Sequence, residues 1–85
     1  MDKGILYFSA PWCGPCKVMS PLIELMEKQG KIVVKKVNVD YDAQLPTKYN
    51  VRNVPTLVLT DLNGTEIKRK VGQMSEQEIL DFYNG

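Results

Sequence analysis

Residues 4–17 read Gly-Ile-Leu-Tyr-Phe-Ser-Ala-Pro-Trp-Cys-Gly-Pro-Cys-Lys, and this stretch decides how the rest of the chain is interpreted. Its first half is a continuous run of apolar strand formers, a pattern typical of a strand buried on both faces. Its second half leads into apolar residues at helical spacing, which predict a helix ending at Gly30. The two cysteines therefore stand where a buried strand turns into a helix.

That position favours redox chemistry for Cys13 and Cys16. A disulfide between them closes a very short loop and stabilises a fold little. Unpaired N–H groups and the positive end of the helix dipole stabilise a thiolate at a helix start, which predicts Cys13 as an exposed nucleophile. Cys16, one turn further on, is placed to resolve a mixed disulfide on Cys13.

Two other interpretations of the cysteine pair stay open. One is a purely structural disulfide. The other is half of a structural zinc site, which requires soft ligands from a second chain because the sequence has no further Cys and no His.

The remaining pattern predicts the element order βαβαββα. A helix links the first two strands, which favours a parallel, right-handed crossover between them. An Asn-Gly hairpin signal joins the last two strands, and Ser75 with Glu78 fits the capping box of a final helix. The expected strands cover residues 4–9, 32–39, 56–60 and 66–71, with a short, broken helix within 40–50.

Composition limits the function further. Eighty-five residues with 44% apolar content predict one domain over residues 1–85. The net charge is +1 and the charges are dispersed, so we expect no nucleic-acid or membrane partner. The N-terminal apolar run is too short for a signal peptide or a membrane span, which predicts a cytoplasmic protein.

Taken together, these motifs resemble the thioredoxin family. The resemblance covers most of the chain and implies an α/β thioredoxin-like fold, with a four-stranded mixed sheet and helices on both faces. Beyond Trp12–Lys17, it rests on six signals in order: the Pro11–Pro21 segment, Lys36–Asp40, Tyr49–Arg52, Val54–Thr56, the Asn63-Gly64 hairpin and Val71-Gly72.

The resemblance also implies a substrate-binding surface. Pro55 is expected to be cis and to oppose the dithiol, with Val54 presenting its backbone to a bound substrate strand. The remaining members of this surface are Trp12, Gly14, Pro15, Gly72 and Gln73. Two of these residues also have a simpler interpretation: Trp12 as an aromatic of the core, and Gly72 as an ordinary turn glycine.

The sequence departs from the family in two places. The chain starts at the family's central strand, like a minimal core without the usual first strand and helix, so strand 32–39 becomes a sheet edge. Tyr7 stands where the family buries an aspartate beneath the dithiol, and Lys36 loses that partner. We expect Tyr7 and Lys36 to tune the chemistry of the dithiol. Plain core packing would also explain Tyr7, and an edge-strand charge would also explain Lys36.

These observations predict a monomeric protein-disulfide reductase. The resemblance implies recharging by thioredoxin reductase or a similar dithiol reductant, and disulfide-containing substrates such as a ribonucleotide reductase. We expect no metal and no cofactor beyond the Cys13–Cys16 disulfide. Two alternatives remain. One is a glutaredoxin-like, glutathione-dependent oxidoreductase, which the Gly-Pro pair between the cysteines disfavours. The other is a redox-independent binding subunit of a larger enzyme.

Overall fold

The structure, a computed structural model, describes residues 2–85 and has the predicted element order. Short loops connect the elements. The observed strands and helices match the expected ranges except for one or two residues at their ends. The elements are β1 (Lys3–Ser9), α1 (Gly14–Lys28), β2 (Val34–Asn38), α2 (Gln44–Lys48), β3 (Thr56–Asp61), β4 (Glu66–Val71) and α3 (Glu76–Asn84).

The four strands form one mixed sheet in the order β2-β1-β3-β4. β1 pairs with β2 in parallel, whereas β3 runs antiparallel to both β1 and β4. β1 is therefore an interior strand, and β2 lies at an edge as expected. The thioredoxin-like sheet predicted from the sequence is confirmed.

Helices cover both faces of the sheet. One face packs against α1 and α3, and its largest fully buried side chains include Tyr7, Met19 and Ile79. On the other face Phe8 and Val58 pack against residues in and around α2. Because neighbouring residues of β1 point to opposite faces, its continuous apolar run fills both cores.

The buried face of α1 is narrower than its sequence predicts. Cys16, Met19, Ile23 and Met26 are buried, at the spacing of a single helical stripe. Val18 and Leu25 are exposed by 59% and 50%, because they lie outside that stripe. The apolar positions of the helix, which include both residues, therefore extend beyond the face that packs against the sheet.

Local signals explain where the shorter elements begin. α3 starts with a complete capping box, in which Ser75 and Glu78 each accept the other's backbone N–H. α2 starts after Asp42, whose side chain accepts hydrogen bonds from the backbone N–H groups of Gln44 and Leu45. Pro46 then falls in the first turn of α2, where its missing N–H does no harm.

Candidate active site

The cysteine pair lies at the junction of β1 and α1. Cys13 is the N-cap of α1, and its Sγ accepts a hydrogen bond from the backbone N–H of Cys16 at 3.2 Å. The two residues form a disulfide with their Cα atoms 5.2 Å apart. Gly14 and Pro15 are the exposed first two residues of the helix, a position that suits proline. The Cys13 sulfur thus lies at the positive end of the α1 dipole.

Both cysteines are buried in the disulfide form, with Cys13 exposed by 4% and Cys16 by 2%. The expectation of an exposed Cys13 is wrong for this form, because the pair packs in a small cluster with Ala10 and Val54. The two cysteines differ in their access to a cavity. Cys16 lines an open cavity of about 390 Å³, and Cys13 is not among the described residues that line it.

The loop before β3 brings backbone next to the disulfide. The Val54–Pro55 peptide bond is cis, as the resemblance implies, and Val54 packs against the cysteine cluster. The backbone N–H of Gly72 donates to the carbonyl of Pro55 at 2.9 Å. Gly72 has φ +105°, and a Cβ built on it would meet nothing within 4 Å, so its backbone faces open space. Gln73 follows it as an exposed residue.

Trp12 is a surface residue, so its interpretation as a core aromatic is wrong. Its side chain is 68% exposed beside the cysteines. The indole Nε1 donates a hydrogen bond to Asp40 Oδ1 at 3.2 Å, and the next residue, Tyr41, is 86% exposed. An exposed aromatic with a fixed orientation therefore stands beside the disulfide.

Tyr7 is fully buried under the first turns of α1. Its hydroxyl and the Ser20 hydroxyl form a hydrogen bond of 2.8 Å. Burial raises the pKa of Tyr7 and the negative charge of Glu24 adds to the rise, while hydrogen bonds from Ser20 and Ser9 oppose it. Tyr7 is therefore a neutral hydroxyl at physiological pH.

Lys36 has partners that the sequence analysis did not anticipate. Its Nζ lies 3.2 Å from Glu24 Oε2 and 3.8 Å from Glu27 Oε1, both on α1. Tyr7 stands beside Lys36 in place of the family's aspartate, and parallel pairing of β1 and β2 sets Lys36 within reach of the two α1 carboxylates instead.

Three residues near the disulfide were assigned no role from the sequence: Ser20, Glu24 and Asp40. Ser20 and Glu24 line the same cavity as Cys16. Their spacing of four residues along α1 was a usable signal, since residues four apart share a helix face. Asp40 carried no such signal, because its contact with Trp12 spans two elements.

Metal-binding clusters and membrane-spanning helices are both absent from residues 2–85. Within residues 2–85, no group of three or more His, Cys, Asp or Glu side chains is placed to hold a metal ion. No helix in that part of the chain is long and apolar enough to cross a membrane.

Comparisons with known proteins agree with the fold and the motif. The sequence model of the Thioredoxin family matches residues 1–84. The chain is 38% identical to a thioredoxin of Rickettsia felis over 79 residues, which cover 91% of this chain and 74% of that protein. It is also 38% identical to a thioredoxin of Haemophilus influenzae over 82 residues, covering 94% and 76% of the two chains.

Solved structures give the same result. A mutant thioredoxin from Halobacterium salinarum superimposes with a TM-score of 0.86 at 36% identity, covering 98% of this chain and 73% of that one. The Fasciola hepatica thioredoxin gives a TM-score of 0.83 at 30% identity, covering 98% and 79%. With its redox-active Cys-Gly-Pro-Cys disulfide, the chain belongs to the thioredoxin family and is a protein-disulfide oxidoreductase of the thioredoxin type.

Proposed function

We propose that this oxidoreductase works as a reductant of protein disulfides, with Cys13 as nucleophile and Cys16 as resolving cysteine. The observation that carries the proposal is the placement of Cys13 at the N-cap of α1, with the N–H of Cys16 directed at its sulfur. Such an N–H and the helix dipole both favour a thiolate on Cys13 in the reduced protein. Cys16 lies within the helix, one turn later.

The reaction is two successive thiol exchanges. The Cys13 thiolate attacks one sulfur of a substrate disulfide, forms a mixed disulfide and releases the other sulfur as a thiolate. The Cys16 sulfur then attacks Cys13, forms the intramolecular disulfide and releases the second substrate thiolate. The substrate gains two electrons, which a reductase must return to the protein before the next turnover.

A substrate strand is proposed to lie across the loop beside the disulfide. Within residues 2–85, the backbone N–H of Val54 donates no hydrogen bond, so it is free to pair with an extended peptide. Gly72 adds an open backbone surface next to Pro55, with Gln73 at its end. Trp12 supplies an aromatic contact on the other side, and Gly14 and Pro15 complete the exposed rim.

The partners follow from this chemistry. Family membership implies a reductase and disulfide-containing substrates in general. More narrowly, we propose recharging by a thioredoxin reductase or similar dithiol reductant and substrates such as a ribonucleotide reductase. A dithiol reductant works in a reducing compartment, which supports a cytoplasmic role. Residues 1–85 are proposed to act as a monomeric domain with no cofactor beyond the disulfide.

Single-cysteine variants test the proposal. With a disulfide-containing protein substrate, Cys16→Ser should accumulate a mixed disulfide through Cys13, detected by nonreducing electrophoresis and peptide mapping. Cys13→Ser should form none and should not turn over. Accumulation through Cys16 instead would reverse the roles. Recharging by glutathione alone, with no gain from a flavin-dependent thioredoxin reductase, would contradict the proposed reductase.

A further inference from the structure

The open cavity beside the disulfide gives one cysteine of the pair a path to solvent. The volume of about 390 Å³ is bounded by Cys16 and by the polar side chains of Ser9, Ser20 and Asn38. An open space of this size with several polar side chains in its lining admits several water molecules, at about 30 Å³ each. It is therefore suited to carry a proton between Cys16 and solvent.

The need for such a path rests on the proposed function, in which Cys16 resolves the mixed disulfide. Only a thiolate attacks a disulfide, so Cys16 must lose its proton first. Cys16 is 2% exposed in the disulfide form, and burial disfavours a charged sulfur, so the step needs an acceptor within reach for the proton. Tyr7 cannot take it, because its raised pKa keeps the phenol protonated.

Glu24 has the position and the charge for this task. Among the described residues lining the cavity it is the one carboxylate, and its side chain is half exposed. The Nζ of Lys36 lies 3.2 Å from the Oε2 of Glu24. Ser20 lies between Cys16 and Glu24 on the same helix, four residues from each, and Tyr7 fixes its hydroxyl from below at 2.8 Å.

We propose that the Cys16 proton leaves through this cavity to Glu24, by way of cavity water and the Ser20 hydroxyl. The Cys16 S–H bond breaks and the proton moves to the Glu24 carboxylate, and the resulting Cys16 thiolate then forms a bond to the Cys13 sulfur. The bond from Cys13 to the substrate sulfur breaks, and the substrate leaves as a thiolate. Solvent protonates that thiolate as required and takes the proton back from Glu24.

The titratable groups that face this path come from three elements. α1 contributes Glu24 and Lys17, both lining the cavity. β2 contributes Lys36, which also contacts Glu27, and β1 contributes the neutral Tyr7. Glu27 shares Lys36 with Glu24 and lies one turn away, but it is not among the described lining residues. Glu24→Gln and Glu27→Gln are therefore matched variants.

The experiment uses stopped-flow reduction of an aromatic disulfide reagent by the reduced 85-residue chain. Each thiol exchange releases one equivalent of coloured thiolate, so the first phase reports attack by Cys13 and the second reports resolution by Cys16. Glu24→Gln should slow the second phase by roughly tenfold to a hundredfold and change its pH profile, with the first phase unchanged. Glu27→Gln should leave both phases within about twofold of the parent.

Ser20 is a positioning residue in this scheme and has its own test. Ser20→Ala should slow the second phase alone, and Ser20→Thr, which keeps a hydroxyl, should restore it. Equal second-phase rates and pH profiles in Glu24→Gln and Glu27→Gln would overturn the proposal. A different failure belongs to the proposed function: if the parent releases no second equivalent, or Cys16→Ser releases two, Cys16 is not the resolving cysteine.

Discussion

The indole of Trp12 is tied to Asp40 by a hydrogen bond of 3.2 Å that crosses from the β1–α1 junction to the loop after β2. Asp40 is itself fixed, because its backbone N–H donates to the Asn38 side chain at 2.9 Å. A large exposed aromatic contributes most to binding when its orientation is set before the partner arrives. The pair therefore orients one edge of the proposed substrate-binding surface beside the disulfide.

Removing the acceptor should weaken substrate binding without weakening the fold. Asp40→Ala frees the indole, and we expect KM for a protein disulfide to rise roughly threefold to tenfold, as the loss of one hydrogen bond allows. Asp40→Asn keeps an acceptor oxygen and should retain a KM close to the parent's. Steady-state kinetics with urea unfolding as a control measure both effects. An unchanged KM in Asp40→Ala would mean that Trp12 needs no support.

Much of the site was predictable because its signals are local in the sequence. The Cys-Gly-Pro-Cys motif lies on a strand-to-helix junction that the apolar pattern defines, and Ser75 with Glu78 lie within one turn. The Glu24–Lys36 pair and the Trp12–Asp40 bond were not predictable in this way. Both join different elements, and the register between β1 and β2 and the packing of α1 decide which atoms meet.

A substitution at Gly72, with a matched control, tests the proposed substrate-binding surface and distinguishes backbone strain from loss of substrate binding. Its φ of +105° is unfavourable for any residue with a Cβ, although the space beside it is open. We expect Gly72→Ala to lower the free energy of unfolding by about 1–2 kcal/mol and also to raise KM, because a methyl group would stand where substrate backbone approaches.

Gly30→Ala is the matched control for that substitution. Gly30 also has a positive φ, +72°, with nothing within 4 Å of an added Cβ. It lies beyond the far end of α1, about 22 Å along the helix from the cysteines. Gly30→Ala should therefore lower the free energy of unfolding by a similar amount and leave KM unchanged. If Gly30→Ala raises KM as much as Gly72→Ala does, the effect at Gly72 is one of strain alone.

Tyr49 connects α2 to the β3–β4 hairpin. Its side chain is 8% exposed, its ring meets Phe8 edge-on at 6.5 Å, and its hydroxyl donates to the Gly64 carbonyl. Tyr49→Phe keeps the packing and removes the hydrogen bond, so we expect a loss of about 1 kcal/mol in urea unfolding. Tyr41→Phe, at a residue 86% exposed, should change stability by less than about 0.5 kcal/mol. Equal effects would show that the hairpin bond contributes nothing.

The capping box of α3 should be measurable at neutral pH. The Ser75 side chain accepts the backbone N–H of Glu78 at 3.2 Å, which satisfies one free donor of the first turn. Ser75→Ala should lower the free energy of unfolding by about 1 kcal/mol, whereas Ser75→Asn should keep most of it. If both variants unfold at the same urea concentration as the parent, α3 is held by its packing alone.

The other half of the capping box adds a dependence on pH. Hydrogen bonds from the Ser75 backbone N–H and side chain, together with Lys70 at 3.4 Å, lower the pKa of Glu78 below its ordinary value of 4.5. Because the folded pKa lies below the unfolded one, the ionised carboxylate stabilises the folded state above about pH 4.5, and this contribution disappears as the pH falls through the folded pKa. Glu78→Gln lacks that titration, so its deficit in melting temperature relative to the parent should be largest near neutral pH and should shrink steadily on acidification. A deficit that stays constant from neutral pH down to about pH 3 would mean that the carboxylate charge contributes nothing to the box.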